Sequence, residues 1–260
     1  MDILGVDVGA TKIEAVVFRK GRFRPVYHVR TTLEALESLD EIVSSLTERC
    51  RCETVGVAVA GARLKAGRVY IAALKTTVRL PTMENVSYFK DSEAFAYASY
   101  HLEHPYTSSL AGVTIGTGVG LGIIVGGRPY HGAGNAGELG HTYAGAEGLR
   151  CRCGHTDHLE AYYSGWAFKS GKQAVNNRER MLVLARSLAD LTHILDPEVL
   201  VLGGSIGKTV DIRRLRSMVY RLLLPGFKPR ITKTRLRHAV AAGAALLAAD
   251  SPSKSIRRFT

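Results

Sequence analysis

The chain has 260 residues, a formal net charge of +12, 46% hydrophobic and 22% charged residues. That is a folded globular composition, with length for one large domain or two ordinary ones, each with its own core. No apolar run reaches membrane-spanning length and the first residues enter a strand at once, so a membrane span and a secretory leader are not expected and the protein is expected in the cytoplasm. The Lys and Arg residues are scattered, apart from Arg213, Arg214 and Arg216 on a predicted helix. This reads as a basic surface that attracts anionic substrates rather than as a specific nucleic-acid site.

Ile3–Val8 is a short apolar run that reads as a buried strand. It ends in Asp7-Val8-Gly9-Ala10-Thr11-Lys12, and Ile13–Phe18 reads as a second strand, followed by a turn at Gly21. The small residues at this bend allow backbone N–H groups to approach a phosphate, with Thr11 and Lys12 as further donors. A plain hairpin turn accounts for the same residues. Leu36, Leu39, Ile42, Val43 and Leu46 recur at helical spacing, so one amphipathic helix is predicted over Leu33–Arg49. Thr54–Val59 is a buried strand ending at Ala60-Gly61, and Val69–Ala73 a further strand. Leu74–Glu84, interrupted by Pro81, has no readable element. Val86–Lys90 is a strand that delivers Asp91 at its end, and a helix follows from Ser92. Asp91 there can serve a ligand or cap the helix.

Gly112–Gly118 followed by Gly120–Val125 echoes Gly5–Thr11 followed by Ile13–Val17: strand, small-residue bend, strand. The echo predicts two related halves, each opening with a phosphate-facing hairpin, able to hold a nucleoside triphosphate from both sides. Gly126-Gly127 is a turn. Arg178–Leu195 is a helix with Leu182, Ala185, Leu188, Ala189 and Thr192 on one face. Val199–Leu202 is a strand running into Gly203-Gly204-Ser205, where bare backbone admits either a flat ligand or a tight strand-to-helix connection. His238–Ala249 is a small-residue helix, and the basic tail Ser251–Thr260 is expected to fray.

Gly137–Gly165 concentrates acids, histidines, glycines and the pair Cys151 and Cys153. In a reducing compartment this spacing points to zinc before a disulfide, with His141 upstream and His155 or His158 downstream. A redox pair or ordinary thiols remain open, and spacing does not choose the fourth ligand. Cys50 and Cys52 read as ordinary thiols.

Five segments together resemble the ROK family of sugar kinases: Asp7–Lys12 (DVGATK), Gly116–Gly122 (GTGVGLG), Gly137–His141 (GELGH), Cys151–Glu160 (CRCGHTDHLE) with Ser164-Gly165, and Asp196–Gly204 (DPEVLVLGG). The resemblance implies an α/β, two-domain actin/hexokinase-like (ribonuclease H-like) fold with a cleft between domains. It implies a smaller domain over 1–106 completed by the helix near 238–250, and a larger one over 107–237 carrying the zinc loop. The implied activity is transfer of the γ-phosphate of ATP, with magnesium, to a hydroxyl of a hexose or N-acetylhexosamine. Asp91 would be the base. Gly9, Ala10, Thr11, Lys12, Thr117 and Gly118 would line the phosphates, Asp7 would meet magnesium or its waters, and Gly203 and Gly204 would lie near the adenosine. Gly61, Lys90, Glu138, His141 and Glu160 would line the sugar beside Asp91. The zinc positions fall on His141, Cys151, Cys153 and His158, the last replacing a usual cysteine. A homodimer is implied as well.

The chain departs from that pattern where Lys90 and Glu93 stand for asparagines and where Ala60-Gly61 stands for Pro-Gly, which bears on sugar choice. The family also contains repressors with a helix-turn-helix ahead of the kinase-like part. With the phosphate motif starting at residue 7, such a domain is not expected. A sugar-responsive regulator or a sugar-binding protein without turnover is the alternative reading.

Overall fold

The computed structural model describes residues 2–64, 66–145, 147–170 and 174–250. It divides into two compact units, one of Met1–Ala98 with Leu236–Thr260 and one of Ser99–Arg235. The division falls inside a helix, ahead of the expected 106/107 boundary. A continuous helix gives no composition change for a sequence reading to detect. No helix among the described residues is long and apolar enough to cross a membrane, and the tail from Ser251 lies outside the described residues.

In the first unit, β1 (Ile3–Val8), β2 (Lys12–Arg19) and β3 (Arg22–Arg30) form an antiparallel meander. Two short helices follow, α1 (Leu33–Glu37) and α2 (Leu39–Cys50), and then β4 (Thr54–Val59). Where one helix was predicted there are two. Thr32 caps α1 by accepting the Ala35 N–H, and Ser38 leaves helical geometry between them. A small antiparallel sheet of β5 (Ala62–Arg63), β6 (Arg68–Ile71) and β7 (Thr76–Arg79) comes next, so the segment with no readable element contains a strand. Then β8 (Val86–Lys90) leads directly into α3 (Asp91–Glu103). The main sheet runs β3-β2-β1-β4-β8, with β1, β4 and β8 parallel.

β3 was not predicted because Arg22–Arg30 is charge-rich and contains Pro25. It is the edge strand, where a missing N–H costs no ladder bond, and its pairing with β2 slips at Ala15/Val16.

The second unit repeats this plan. β9 (Ser109–Ile115), β10 (Val119–Val125) and β11 (Arg128–Pro129) form a meander. After the central loop come α4 (Leu159–Tyr162), α5 (Gly165–Ser170), α6 (Arg178–Leu195), β12 (Val199–Gly203), α7 (Gly204–Gly207), α8 (Ile212–Tyr220) and β13 (Arg230–Lys233). The sheet order is β11-β10-β9-β12-β13, with β9, β12 and β13 parallel. Strand for strand, order and sense match the first sheet, so the short sequence echo marks a repeat of whole topology. On α6, Met181, Val183 and Leu184 are fully or nearly fully buried while Leu182 is only half-buried. The face predicted through Leu182 is therefore shifted, and more of the helix circumference is covered than a one-sided pattern implies.

The last helix, α9 (Ala239–Asp250), belongs to the first unit and lies on β1 and β4. Leu4, Val6 and Val8 share a core with Leu39, Val43 and Leu46 of α2. Gly5, pointing the other way by strand alternation, meets α9. A Cβ on Gly5 would overlap the Ala241 carbonyl oxygen, one on Gly56 that of Ala244, and one on Gly243 that of Ala94 in α3. The alanine-rich composition of α9 thus follows from backbone-to-backbone seating. Gly56→Ala is expected to cost about 2 kcal/mol or more, because rigid backbone must give way, lowering the melting temperature by roughly 5 °C. An unchanged thermal melt would show that α9 does not seat on β4 in this way.

Candidate active site and metal centre

In the first unit the strand ends carry the expected residues. The bend after β1 is closed by the Gly9 N–H donating to the Lys12 carbonyl at 3.0 Å. It is braced by Thr31, whose hydroxyl donates to the Gly9 carbonyl at 2.7 Å and whose N–H donates to the Thr11 carbonyl at 3.0 Å. Thr31 escaped the sequence reading because it follows the unrecognised edge strand. Ala10 is half-buried at the bend and Thr11 exposed. Lys12 is not simply a solvent-facing donor: its ammonium donates to Glu14 Oε2 at 2.6 Å. Glu14 is 3% exposed and also meets His238 Nδ1 at 3.1 Å. Burial pushes the Glu14 carboxyl up, but Lys12 and His238 together outweigh it and hold it below its ordinary range.

Asp7 lies opposite Glu14 in the β1–β2 register. Burial, then the negative charges of Asp91 and Glu14, push the Asp7 carboxyl well above the usual carboxylate range, with Lys12 pulling the other way. A site where carboxylates resist ionising together suits a divalent cation, which would relieve the repulsion. Asp91 begins α3, and its Oδ1 accepts the Ser92 N–H at 2.8 Å. This contact with its neighbour orients the carboxylate at the helix start, where a ligand can reach it.

Lys90 and Val59 are register partners at the ends of β8 and β4, so Lys90 and Asp91 emerge next to Ala60-Gly61. Gly61 has φ +134°, and a Cβ there would overlap the Tyr70 carbonyl oxygen of β6. No L side chain fits that position. Lys90 is buried, and Glu93 forms an ion pair with Arg63 at 3.5 Å, both side chains largely shielded from solvent. Arg63 is a second residue beyond the expected set. Nothing in its sequence neighbourhood marks it, because the pair joins β5 to α3.

In the second unit the bend after β9 repeats the first, with the Gly116 N–H donating to the Gly118 carbonyl at 2.9 Å. Thr117 is half-buried between them. Glu160 holds this loop. Its Oε2 accepts the Val119 N–H at 3.0 Å and its Oε1 accepts Trp166 Nε1–H at 3.1 Å. A Cβ on Gly118 would overlap Glu160 Oε2, and the Gly165 N–H donates to the Gly116 carbonyl at 2.7 Å. Each carboxylate oxygen retains a lone-pair direction for a hydroxyl. Glu160 is thus joined to the small-residue loop and to Trp166, a partner the sequence reading did not name.

Gly203 ends β12, and Gly204, at φ +79°, begins α7. A Cβ on Gly204 would overlap the Ile115 carbonyl oxygen. Close approach to β9 is therefore sufficient reason for glycine there, whatever else the turn binds.

The loop Gly137–His141 is seated on β10 by its glycines. Added Cβ atoms on Gly137 and Gly140 would overlap the carbonyl oxygens of Leu121 and Val119. This close packing sets the direction of Glu138 and of the 3₁₀ turn Leu139–His141. His141 Nε2 lies 3.9 Å from Glu138 Oε2, while its Nδ1 lies 3.8 Å from Cys151 Sγ. The ring thus has one nitrogen on the carboxylate side and one on the thiol side. A tight turn follows, the Cys151 N–H donating to the His155 carbonyl at 2.8 Å and Gly154 N–H to the Cys151 carbonyl at 3.1 Å. Cys153 Sγ is 3.2 Å from His158 Nδ1 and 3.7 Å from His155 Nδ1.

One potential ligand atom from each of His141, Cys151, Cys153 and His158 lies within 4.8 Å of the others. Two thiols and two imidazoles converging in this way suit a tetrahedral zinc ion. Burial pushes the Cys151 thiol up to about 12 when no metal is bound, and lowers His158, with His141 and His155 adding to the effect. A neutral imidazole is the form that ligates, whereas the thiol must lose its proton to the incoming ion.

The description "ROK family" fits residues 3–178 and 169–251 of the chain. An N-acetylmannosamine kinase of Shigella flexneri is 29% identical over 287 aligned positions, covering 95% of this chain and 98% of the relative. A ROK hexokinase structure from Thermus thermophilus superimposes with a TM-score of 0.74 at 26% identity, over 96% of this chain and 98% of the other. A ROK glucokinase from Streptomyces griseus, solved with glucose and AMPPNP, gives a TM-score of 0.76 at 24% identity, over 96% of this chain and all of the other.

Proposed function

The chain belongs to the ROK family, whose relatives share its α/β, two-domain actin-like fold, and from this we propose that it is an ATP-dependent sugar kinase. The acceptor would be a hydroxyl of a hexose or N-acetylhexosamine. The observation that carries the reading is Asp91, oriented by its own helix start beside a buried Asp7 under carboxylate repulsion. Similarity to an N-acetylmannosamine kinase across nearly the whole chain supports it.

In this reading Asp91 accepts the proton of the attacking sugar hydroxyl. The small-residue bends at Gly9–Lys12 and Thr117-Gly118 offer backbone N–H groups to phosphate oxygens, and Gly203-Gly204 borders the adenosine. Asp7 would hold magnesium or its waters, and the ion would neutralise phosphate charge. Glu138, Glu160 and His141 Nε2 would bind sugar hydroxyls, with Gly61 and Lys90 lining the sugar beside Asp91. His141, Cys151, Cys153 and His158 would hold a structural zinc, and the His141 ring would then be oriented with its other nitrogen towards Glu138 and the sugar. The protein would act in the cytoplasm, as a homodimer.

A coupled ADP-release assay across hexoses and N-acetylhexosamines tests the proposal. Sugar-dependent release with at least one acceptor is the expected result, and none with any of them would refute it. Lys90 stands where the resemblance to the family implies an asparagine, and lysine can only donate hydrogen bonds. Lys90→Asn is therefore expected to change the ratio of kcat/KM between N-acetylmannosamine and glucose by about tenfold, the effect of one or two kcal/mol in a polar contact. An unchanged ratio would remove Lys90 as a specificity residue.

A further inference from the structure

The second unit carries a cavity whose lining residues the proposed chemistry does not use. It has an open volume of about 580 Å³ and is walled by the end of α3 (Glu103, His104), by α8 (Arg216, Tyr220) and by the segment from Lys228 to Thr232 that enters edge strand β13. Between residues 204 and 235 the sequence has nine Lys and Arg against a single acid, Asp211. That acid is occupied as the cap of α8, accepting the Arg213 and Arg214 N–H groups.

The three cations on the cavity wall outnumber the one carboxylate that lines it, Glu103. Among the described residues, no carboxylate is in salt-bridge range of Arg216, Lys228 or Arg230. Glu103 shares the wall and keeps its charge, while the Thr234 hydroxyl and the Arg235 N–H, each at 2.7 Å, hold its oxygens. The field of Arg230 also reaches Glu198, whose carboxylate is already bonded to Ser108.

The arginines are held in place by neutral acceptors. Arg216 donates through Nε and Nη2 to the Ile231 carbonyl at 3.2 and 2.7 Å, and among the described residues Nη1 has no hydrogen-bond partner. Arg230 Nη2 lies 3.2 Å from His104 Nδ1. A guanidinium has no acceptor, so this contact needs His104 unprotonated at Nδ1. Burial and the Arg230 charge hold the His104 pKa below its usual value accordingly. Two guanidinium groups held by neutral acceptors, with the Lys228 ammonium on the same wall, match a compact dianion better than a solvated surface does. The volume lies within the range of small-ligand sites, and Tyr220 and Ile231 offer a partly apolar wall.

We propose that this cavity binds a small phosphomonoester dianion, with Arg216, Lys228 and Arg230 as its charge partners. Inorganic phosphate offers the same chemistry without the organic part, so both serve as probes. The experiment follows the histidine ring signals of the full-length protein by NMR while inorganic phosphate or glucose 6-phosphate is added at constant ionic strength. The His104 signals are expected to shift saturably and its pKa to rise, since a bound dianion offsets Arg230. Lys228→Gln and Arg230→Gln are expected to weaken the binding about tenfold or more, as loss of one charge-assisted contact does. Both side chains are exposed, and thermal melts check that the variants fold. Stronger binding of glucose 6-phosphate means that the cavity reads the organic part, and equal binding that it reads phosphate alone. No saturable His104 shift, a shift reproduced by sodium chloride, or full binding in folded variants would overturn the proposal. None of these readouts depends on turnover, so failure here is distinct from failure of the kinase reading.

Discussion

Asp91→Asn is expected to lower kcat by about 10²- to 10⁴-fold, the range over which a positioned general base contributes, while nucleotide binding stays nearly unchanged. The geometry makes this substitution selective. Asparagine keeps an Oδ1 able to accept the Ser92 N–H that the aspartate accepts at 2.8 Å, so the start of α3 is preserved and only the proton acceptor is lost. Asp7 provides a second readout. Its carboxyl is held high by burial and by the charges of Asp91 and Glu14. Removing the Asp91 charge should therefore bring the Asp7 pKa down towards the ordinary range. Single-turnover kinetics and calorimetric titration with ATP would measure both sides. Wild-type turnover in the variant would exclude Asp91 as the base.

The proposed zinc loop carries the second large effect. Purified protein is expected to hold about one zinc per chain, as a single four-ligand site requires, and to lose it in Cys151→Ser and in His158→Ala. His155→Ala should retain it. Both histidines approach Cys153, but His158 is buried and 3.2 Å from the sulfur, whereas His155 is exposed and 3.7 Å away. Structural zinc sites contribute on the order of 10 kcal/mol of apparent folding free energy, so chelation should lower the melting temperature markedly. Activity should fall with it, because His141 would lose the partner that fixes its ring. Elemental analysis of the three variants decides the ligand set. Metal lost only from the His155 variant would show that the loop is threaded differently.

Reading the sequence was most effective where the physics is local. The apolar runs at Ile3–Val8, Thr54–Val59 and Val199–Leu202 are strands because continuous β-branched stretches suit sheets covered on both faces. The thiol pair at Cys151 and Cys153 with nearby histidines is legible as a candidate metal site because such ligand sets cluster in sequence. Reading failed where a distant neighbour made the decision. β3 is a strand because β2 accepts it as an edge, despite Pro25 and its charges. Arg63 matters through Glu93, and Trp166 through a Glu160 that also holds the Gly118 loop.

By itself the sequence determined the α/β character, the paired small-residue bends, the position of Asp91 at a strand end and the family to which the chain belongs. These are properties of short segments, whose composition and spacing carry their own stereochemistry. The tertiary structure alone decided that both sheets share one order and sense of strands. It also decided that α9 seats on Gly5 and Gly56, that Lys12 is held by Glu14, and that Arg216, Lys228 and Arg230 line one cavity with His104. Each of those depends on atoms far apart in the chain, whose proximity is set by core packing and sheet register rather than by any local preference.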